Sequence, residues 1–465
     1  MSTNVVAQNN ITLDECLDIL FEQSAEYKML QLQYRKDEVN HELSEAFKYF
    51  NIDLELGMPF HLYQGVQEVF NSNLEQYTLI LNNTNDFAPT ASLLSNYNLP
   101  TGGTLNAGLR TYYRAYNSDY SNDRESFKYS FFAVFSQPLF RANIYRINSE
   151  TEKNNFKKMK LRFFENKNKL VWDAIDKFYN TLLKQKQIGL DKHKINKEQK
   201  ELEEQKLKLK LGKTSEVEFI SKELAVKTSE LNFAKTEEEL NKIMNDFLLF
   251  LGMSIDTPIV LEELVEFVPF NIPLDDALDL AIENNQDYQR MMLNLNIGKL
   301  DYEVKSSTRI ETNFNASTLF SNQMFYRPVH EKASIYDYNV GFTVSVPLAD
   351  GGKRNADEEL SKIRLKEIKI NMVEKEKTLK LVVSQYYSLL EFYKKQNLLL
   401  KEKIKISKDS YEIYEKEYNL GRLTFFELQE YENEIYRVEK EIIEASINYN
   451  KSILQLKIIL GMEIF

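Results

Sequence analysis

The sequence predicts a mainly α-helical chain with β-strands, built as two copies of one unit. Each unit carries two strands and one long αα-hairpin. Three observations predict this. The 465 residues include only 14 Gly and 9 Pro, well below ordinary usage, so turns are few and elements long. The chain also repeats itself: YSFFAVFSQPLF from Tyr129 matches YNVGFTVSVPLA from Tyr338, and LGKTSEVEFISKEL from Leu211 matches LGRLTFFELQEYEN from Leu420. Both pairs lie 209 residues apart, as do Leu251-Gly252-Met253 and Leu460-Gly461-Met462. A fixed spacing of this kind marks a repeated structural unit. Finally, four segments alternate apolar and polar residues with the period of a strand.

The first repeat covers residues 1–253 and the second 272–465, joined by a connector over 254–271. ITLDECLDIL from Ile11 and IPLDDALDLA from Ile272 open the two copies as amphipathic helices. These starts are 261 apart rather than 209, so the first copy holds 52 extra residues. They fall within 60–124, a stretch rich in Asn, Ser, Tyr and Thr that reads as a long loop insertion. Inside it, LPTGGTLNAGLRTYY from Leu99 alternates weakly and would allow an added strand pair. Strands are expected near 51–58 (Ile52, Leu54, Leu56 and Met58 on one face) and 128–137. Their counterparts are expected near 312–320 and 338–347 (Tyr338, Val340, Phe342, Val344).

Long helices follow over 141–211 and 351–420, with apolar residues at three and four spacing, as in Leu381, Tyr386, Leu389, Leu390 and Tyr393. Seventy residues make a rod of about 100 Å, which needs a partner to cover its stripe. Gly212 and Gly421 suit the left-handed position that ends a helix. Ser215-x-x-Glu218 and Thr424-x-x-Glu427 then read as capping boxes opening return helices over 215–251 and 424–461.

Composition narrows the function. Net charge is −11, which disfavours a nucleic-acid partner. The one cysteine, Cys16, and four scattered histidines offer no disulfide, zinc cluster or HExxH spacing. No cofactor or metal is expected, nor is an enzyme. Gly212-Lys213-Thr214 lacks the upstream Gly of a phosphate loop, since Leu207 occupies that place. No apolar run is long enough for a membrane-spanning helix. The opening MSTNVVAQNN lacks the apolar core of a signal peptide, so the chain reads as cytosolic or as a form from which the signal has been removed. The alternating strands fit a barrel with lipid outside and water inside, or a soluble sheet with one covered face. The barrel is favoured because nothing local covers such a sheet, and because Tyr112, Tyr113, Tyr116, Tyr120, Tyr326 and Tyr336 flank the strands as an interfacial girdle would. Four strands cannot close alone; closure needs two, three or four copies.

The chain resembles the TolC-like outer-membrane efflux proteins along nearly its whole length. The resemblance rests on ITLDECLDIL and IPLDDALDLAIENN as unit starts. FSQPLFRANIYR and VSVPLADGGKRN match the family's strand-to-helix passages, with Pro138 and Pro347 at the breaks. YNLGRLTFFELQEYENEIYRVE looks like the family's periplasmic tip. The resemblance implies a homotrimer, a twelve-stranded barrel in outer-membrane lipid and a helical tunnel across the periplasm. It also implies two partners, a periplasmic adaptor and an inner-membrane pump or secretion ATPase. The expected function is a passive exit duct for small molecules or proteins; the alternative is a soluble coiled-coil scaffold with no channel.

By the same resemblance, Glu427 and Glu430 correspond to carboxylates that line the tunnel constriction, although Glu427 is also the fourth residue of a capping box. Tyr418, Glu218 and Arg422 are candidates for tip closure, Arg422 standing one residue before Leu423, where the family carries a basic group. Gly212 and Gly421 are candidates for adaptor docking as well as helix ends.

Overall fold

The structure, a computed structural model, describes residues 9–71, 75–118, 124–262, 270–307, 310–327 and 331–462. In chain order the first half holds β1 (Asn9–Ile11), α1 (Leu13–Gln23), α2 (Ala25–Glu45), β2 (Asn51–Gly57), β3 (Phe60–Asn71), β4 (Gln76–Phe87), β5 (Thr90–Asn98), β6 (Thr104–Ser118), β7 (Arg124–Leu139), α3 (Ile144–Lys210) and α4 (Glu216–Leu251). The second holds β8 (Ile259–Leu261), α5 (Leu274–Asn284), α6 (Gln286–Ser306), β9 (Glu311–Arg327), β10 (Glu331–Ser345), α7 (Lys353–Asn419) and α8 (Phe425–Ile459). Helices α3 and α7 are both 67 residues long, and their first residues, Ile144 and Lys353, stand 209 apart. The chain divides into two compact units, one of residues 37–157 and 293–369, the other of 1–36, 158–292 and 370–465.

The first unit contains an antiparallel sheet of eight strand segments. They run as six strands. From Gly57↔Thr90 to Phe60↔Phe87 both chains advance three residues, so β2 and β3 form one strand, as do β4 and β5. The interruptions fall at Met58-Pro59 and Ala88-Pro89, because proline has no N–H to give to a ladder. Pairing persists across them: Ala88 N–H donates to the Pro59 carbonyl and Tyr113 N–H to the Pro89 carbonyl, both at 3.0 Å. The spatial order is β10, β9, β7, β6, β4/β5, β2/β3.

This corrects two expectations. The stretch 60–124 is not a long loop but holds four whole strand segments, β3 to β6, and the sheet has six strands rather than four. The twelve-stranded barrel that the resemblance implies would take four strands from each of three chains, whereas this sheet holds six. The added hairpin was hidden because its residues alternate large apolar groups with Asn, Ser, Thr and Gly. A strand with one wet face must carry polar residues at every second position, and those same residue types signal loops. The other strands are longer than expected: 124–139, 311–327 and 331–345. Pro138 lies within β7, paired with Asn313 near the strand's end, and Pro347 lies two residues past β10. Each precedes the next helix by six residues.

The pleat sorts the side chains onto two faces. One collects Leu54, Leu56 and Leu62, then Phe87 and Leu93, Leu105 and Leu109, Phe131 and Phe135, Phe314 and Phe320, and Tyr338, Val340 and Phe342. Aromatic rings meet across neighbouring strands there, with Phe314–Phe342 centroids at 5.1 Å and Phe320–Tyr336 at 4.9 Å. Much of this face is bare: Leu56 is 74% exposed and Val340 69%. The other face is polar. Ser136 donates to Asn315 at 2.8 Å, Asn315 to Thr343 at 3.1 Å, and Arg114 pairs with Asp86 at 2.7 Å. Of the expected girdle, Tyr113, Tyr326 and Tyr336 share the apolar face. Tyr112 is on the polar face, with Lys128 Nζ 5.9 Å over its ring. The side chains of Tyr116 and Tyr120 lie outside the described residues.

The second unit is helical and holds two main cores. One joins Cys16, Leu17 and Leu20 of α1 to Ile175, Phe178 and Leu182 of α3 and Phe247, Leu248 and Leu251 of α4. The other joins Ala277 and Ala281 of α5 to Val383 and Leu390 of α7 and Ile453 and Leu456 of α8. Within the connector, β8 pairs in parallel with β1, and Gln185 pins it by hydrogen bonds to both backbone groups of Leu261. Gly252 and Gly461, 209 apart, do the same job in each copy. Each has a positive φ (81° and 65°), and a Cβ would sit 2.7 Å from the Gln23 carbonyl oxygen in the first and 2.8 Å from that of Asn284 in the second.

Candidate functional site

The two hairpin tips hold the residues that the sequence singles out. At the first, Gly212 has φ +67°. Its N–H donates to the Leu209 carbonyl at 2.9 Å, and Lys213 N–H to that of Lys208 at 2.8 Å. At the second, Gly421 has φ +70°, and the matching bonds run to Tyr418 and Glu417 at 2.9 and 3.0 Å. This bond pair closes a helix through a left-handed residue, which favours glycine. A Cβ at either position would meet nothing within 4 Å. The backbone conformation asks for glycine, and the flank of each tip is open.

The two acidic helix starts differ in use. Thr424 N–H and Oγ1 both donate to Glu427 Oε2 at 2.8 Å, and Glu427 N–H donates to Thr424 Oγ1 at 3.4 Å. Glu427 therefore closes a full capping box, and these bonds to Thr424 lower its pKa. At the first tip Ser215 accepts from Glu218 N–H at 3.2 Å, but no bond returns from the Ser215 backbone to the carboxylate. Glu218 Oε2 instead accepts from Thr214 Oγ1 at 2.6 Å, and Thr214 Oγ1 accepts from Gln205 Nε2 at 2.6 Å. Gln205 and Glu218 both act on the Tyr418 phenol, which places Tyr418 of the second hairpin beside these bonds. The relay Gln205–Thr214–Glu218 thus runs along the first hairpin, with Tyr418 next to it. Burial, with the Glu218 charge, pushes the Tyr418 phenol upward, keeping it a neutral partner. The residue matching Thr214 in the second copy is Leu423, which has no hydroxyl, so only one tip can build this relay.

The remaining candidates lie apart from it. Arg422 turns back to Glu417 of its own hairpin at 3.3 Å and does not reach Glu218. Glu430 is exposed one turn beyond Glu427.

The structure adds residues that sequence pattern did not single out. Glu432, 7% exposed, pairs with Lys197 at 2.7 Å. Lys197 also lies 4.9 Å from the Tyr411 ring and 3.8 Å from Glu201. Desolvation opposes its charge, but the hydrogen bond and charge of Glu432 outweigh it and hold its pKa above the usual lysine value. Further along, Lys440 meets Asp191 at 2.7 Å and Lys451 meets Asp176, so ion pairs join α8 to α3 at several levels. The clue was available: Phe425, Leu428, Glu432 and Val438 follow the apolar stripe of α8, and a carboxylate on such a stripe must find a partner. Among the described residues no group of His, Cys, Asp or Glu is arranged to hold a metal ion, and no helix is long and apolar enough to cross a membrane.

The chain thus carries an antiparallel sheet with one bare apolar face and one polar face, together with two 67-residue helices that end in open glycine tips. Comparison with known proteins places this combination of elements. Residues 279–462 match the outer membrane efflux protein family. No curated protein matches in sequence. The fold is similar to that of CusC, with a TM-score of 0.71 at 11% identity over 97% of this chain and 92% of that one. VceC from Vibrio cholerae gives 0.70 at 9% identity, covering 97% of both chains. The Campylobacter jejuni CmeC outer membrane channel gives 0.65 at 10%, covering 97% and 85%. The resemblance to TolC-like outer-membrane efflux proteins therefore holds: in fold for nearly the whole chain, and in sequence for the second repeat.

Proposed function

We propose that this chain is an outer-membrane exit duct, a passive channel of an efflux system that extends into the periplasm. The observation that carries this is the bare apolar face. Leu54, Leu56, Tyr338, Val340 and Phe342 are each more than half exposed, on a sheet whose opposite face is polar. A soluble scaffold has no reason to show water such a face, whereas a lipid-facing barrel wall requires it. Efflux proteins of the matched family are channels rather than enzymes. Three copies close the wall and bring their hairpins into one tunnel, which a periplasmic adaptor and an inner-membrane pump engage. Gly212 and Gly421 leave the tips open to adaptor helices. Glu430 supplies a ring of three carboxylates at the narrow end, and rings of one sign select cations. Glu427 acts first as a cap, because its carboxylate is already committed to Thr424. Tyr418, set beside Gln205 and Glu218, holds the resting tips together.

The test is reconstitution. Detergent-extracted protein should run as a trimer by light scattering and give a small cation-selective conductance in planar bilayers. A water-soluble protein without conductance would overturn the reading in favour of a scaffold.

A further inference from the structure

We infer that the barrel wall holds eighteen strands, six from each of three chains, and that its seams join the 51–71 strand of one copy to β10 of the next. This rests on the proposed three-copy channel and deepens it.

The added hairpin belongs to the wall. Its strands continue the same ladder as β6 and β7, with no slip from Thr90↔Tyr112 to Thr84↔Ser118. It also carries both faces of the sheet in phase. Leu54 and Leu93 stand opposite one another, as do Leu93 and Leu109, so the apolar face runs unbroken from β10 to β2. On the polar face Arg110 donates to Ser92 at 3.1 Å and Arg114 pairs with Asp86, tying the hairpin to β6. A plug or an outer loop would need neither the register nor the phase.

The two outer strands then select the occupant of each edge. Among the described residues β10 pairs only with β9, β2 only with β5 and β3 only with β4. Their outward backbone groups have no ladder partner among the described residues, and lipid cannot supply one. Six is an even number of alternating strands, so β10 runs opposite to β2 and β3. A second copy placed edge to edge therefore meets this one in antiparallel register, with apolar residues on the same side: Tyr338, Val340 and Phe342 beside Ile52, Leu54 and Leu56. With strands about 4.8 Å apart and tilted about 40°, eighteen give a backbone diameter of roughly 36 Å, against roughly 24 Å for twelve. The first is in the range where barrels enclose an aqueous lumen.

The hairpin is also a removable module, since its ends meet: Asn98 Nδ2 donates to the Phe47 carbonyl at 3.0 Å. Single-particle imaging of the full chain in detergent should show eighteen strands around a threefold axis. Cysteine crosslinking gives an independent reading. Val340→Cys combined in turn with Ile52→Cys, Leu54→Cys or Leu56→Cys should yield covalent trimers under oxidation, while Val340→Cys with Leu109→Cys should not. In a variant lacking 51–98, with Phe50 joined to Leu99, β6 becomes the edge and the Val340–Leu109 pair should crosslink instead. A threefold ring of twelve strands, or crosslinking through Leu109 in the full chain, overturns the eighteen-strand wall and leaves the channel standing. A monomer with no ring overturns both.

Discussion

Replacing Tyr418 with Phe removes the hydroxyl that the second hairpin sets beside Gln205 and the relay through Thr214 to Glu218. The change strands no charge, because Gln205 keeps Thr214 and Thr214 keeps Glu218. The loss expected of the proposed closure is that of one neutral hydrogen bond, about 1 kcal/mol. If each chain's tip parts alone, the ratio of open to closed states rises about fivefold. If three tips part together, the loss is about 3 kcal/mol and the ratio rises roughly 150-fold, at 1.4 kcal/mol per factor of ten. Single-channel recording in planar bilayers measures open probability directly, and the size of the change reports whether opening is concerted. Selectivity should stay the same, since Tyr418 carries no charge. An open probability unchanged in Tyr418→Phe, and still unchanged when Glu218→Gln is added, would show that the relay does not hold the resting state.

Glu430→Gln should shift the reversal potential toward loss of cation preference, whereas Glu427→Gln should mainly loosen the first turn of α8, seen as faster amide exchange near Glu427. Because the capping bonds depress the Glu427 pKa, its contribution to that turn should be present above the usual carboxylate range and lost only as pH falls through the lowered value; exchange that quickens already near neutral pH would contradict this. Gly252→Ala should lower the thermal midpoint more than Gly421→Ala. Both must hold a positive φ, at about 1 kcal/mol or more, but only at Gly252 does the new Cβ press on the Gln23 carbonyl. Cys16 is fully buried, and burial pushes its thiol up to about 12, so maleimide at pH 7.5 should label it only after denaturation.

The helical hairpins were legible in the sequence because their punctuation is local. Gly212 and Gly421 followed within a few residues by Ser215 and Thr424 leave little choice of conformation. What escaped was longer in range. The hairpin of 51–98 reads as loop when its Asn, Ser and Thr are counted singly, since in the proposed wall the water that justifies them lies in a lumen that no single chain encloses. The tip relay escaped for a related reason: Gln205 and Thr214 are unremarkable polar residues until the second hairpin brings Tyr418 beside them. Glu218 and Glu427 look alike in sequence. They part ways only because Thr214 has a hydroxyl and its counterpart Leu423 has none.

The unpaired edges of the sheet also set a condition on how the protein is made. Until its neighbours arrive, each chain presents the strands 51–71 and 331–345 with open backbone and bare Leu, Val and Phe beside them, which is a template for any passing strand. For the proposed three-copy wall, closure of the ring and entry into lipid must therefore keep pace with synthesis. Chains that accumulate in water ahead of their partners would add to one another without end rather than close on the third. Yield should thus fall with the rate of expression, rather than with the stability of the helical unit, and the smaller wall of the chain lacking 51–98 would not escape this, since β6 would inherit the open edge.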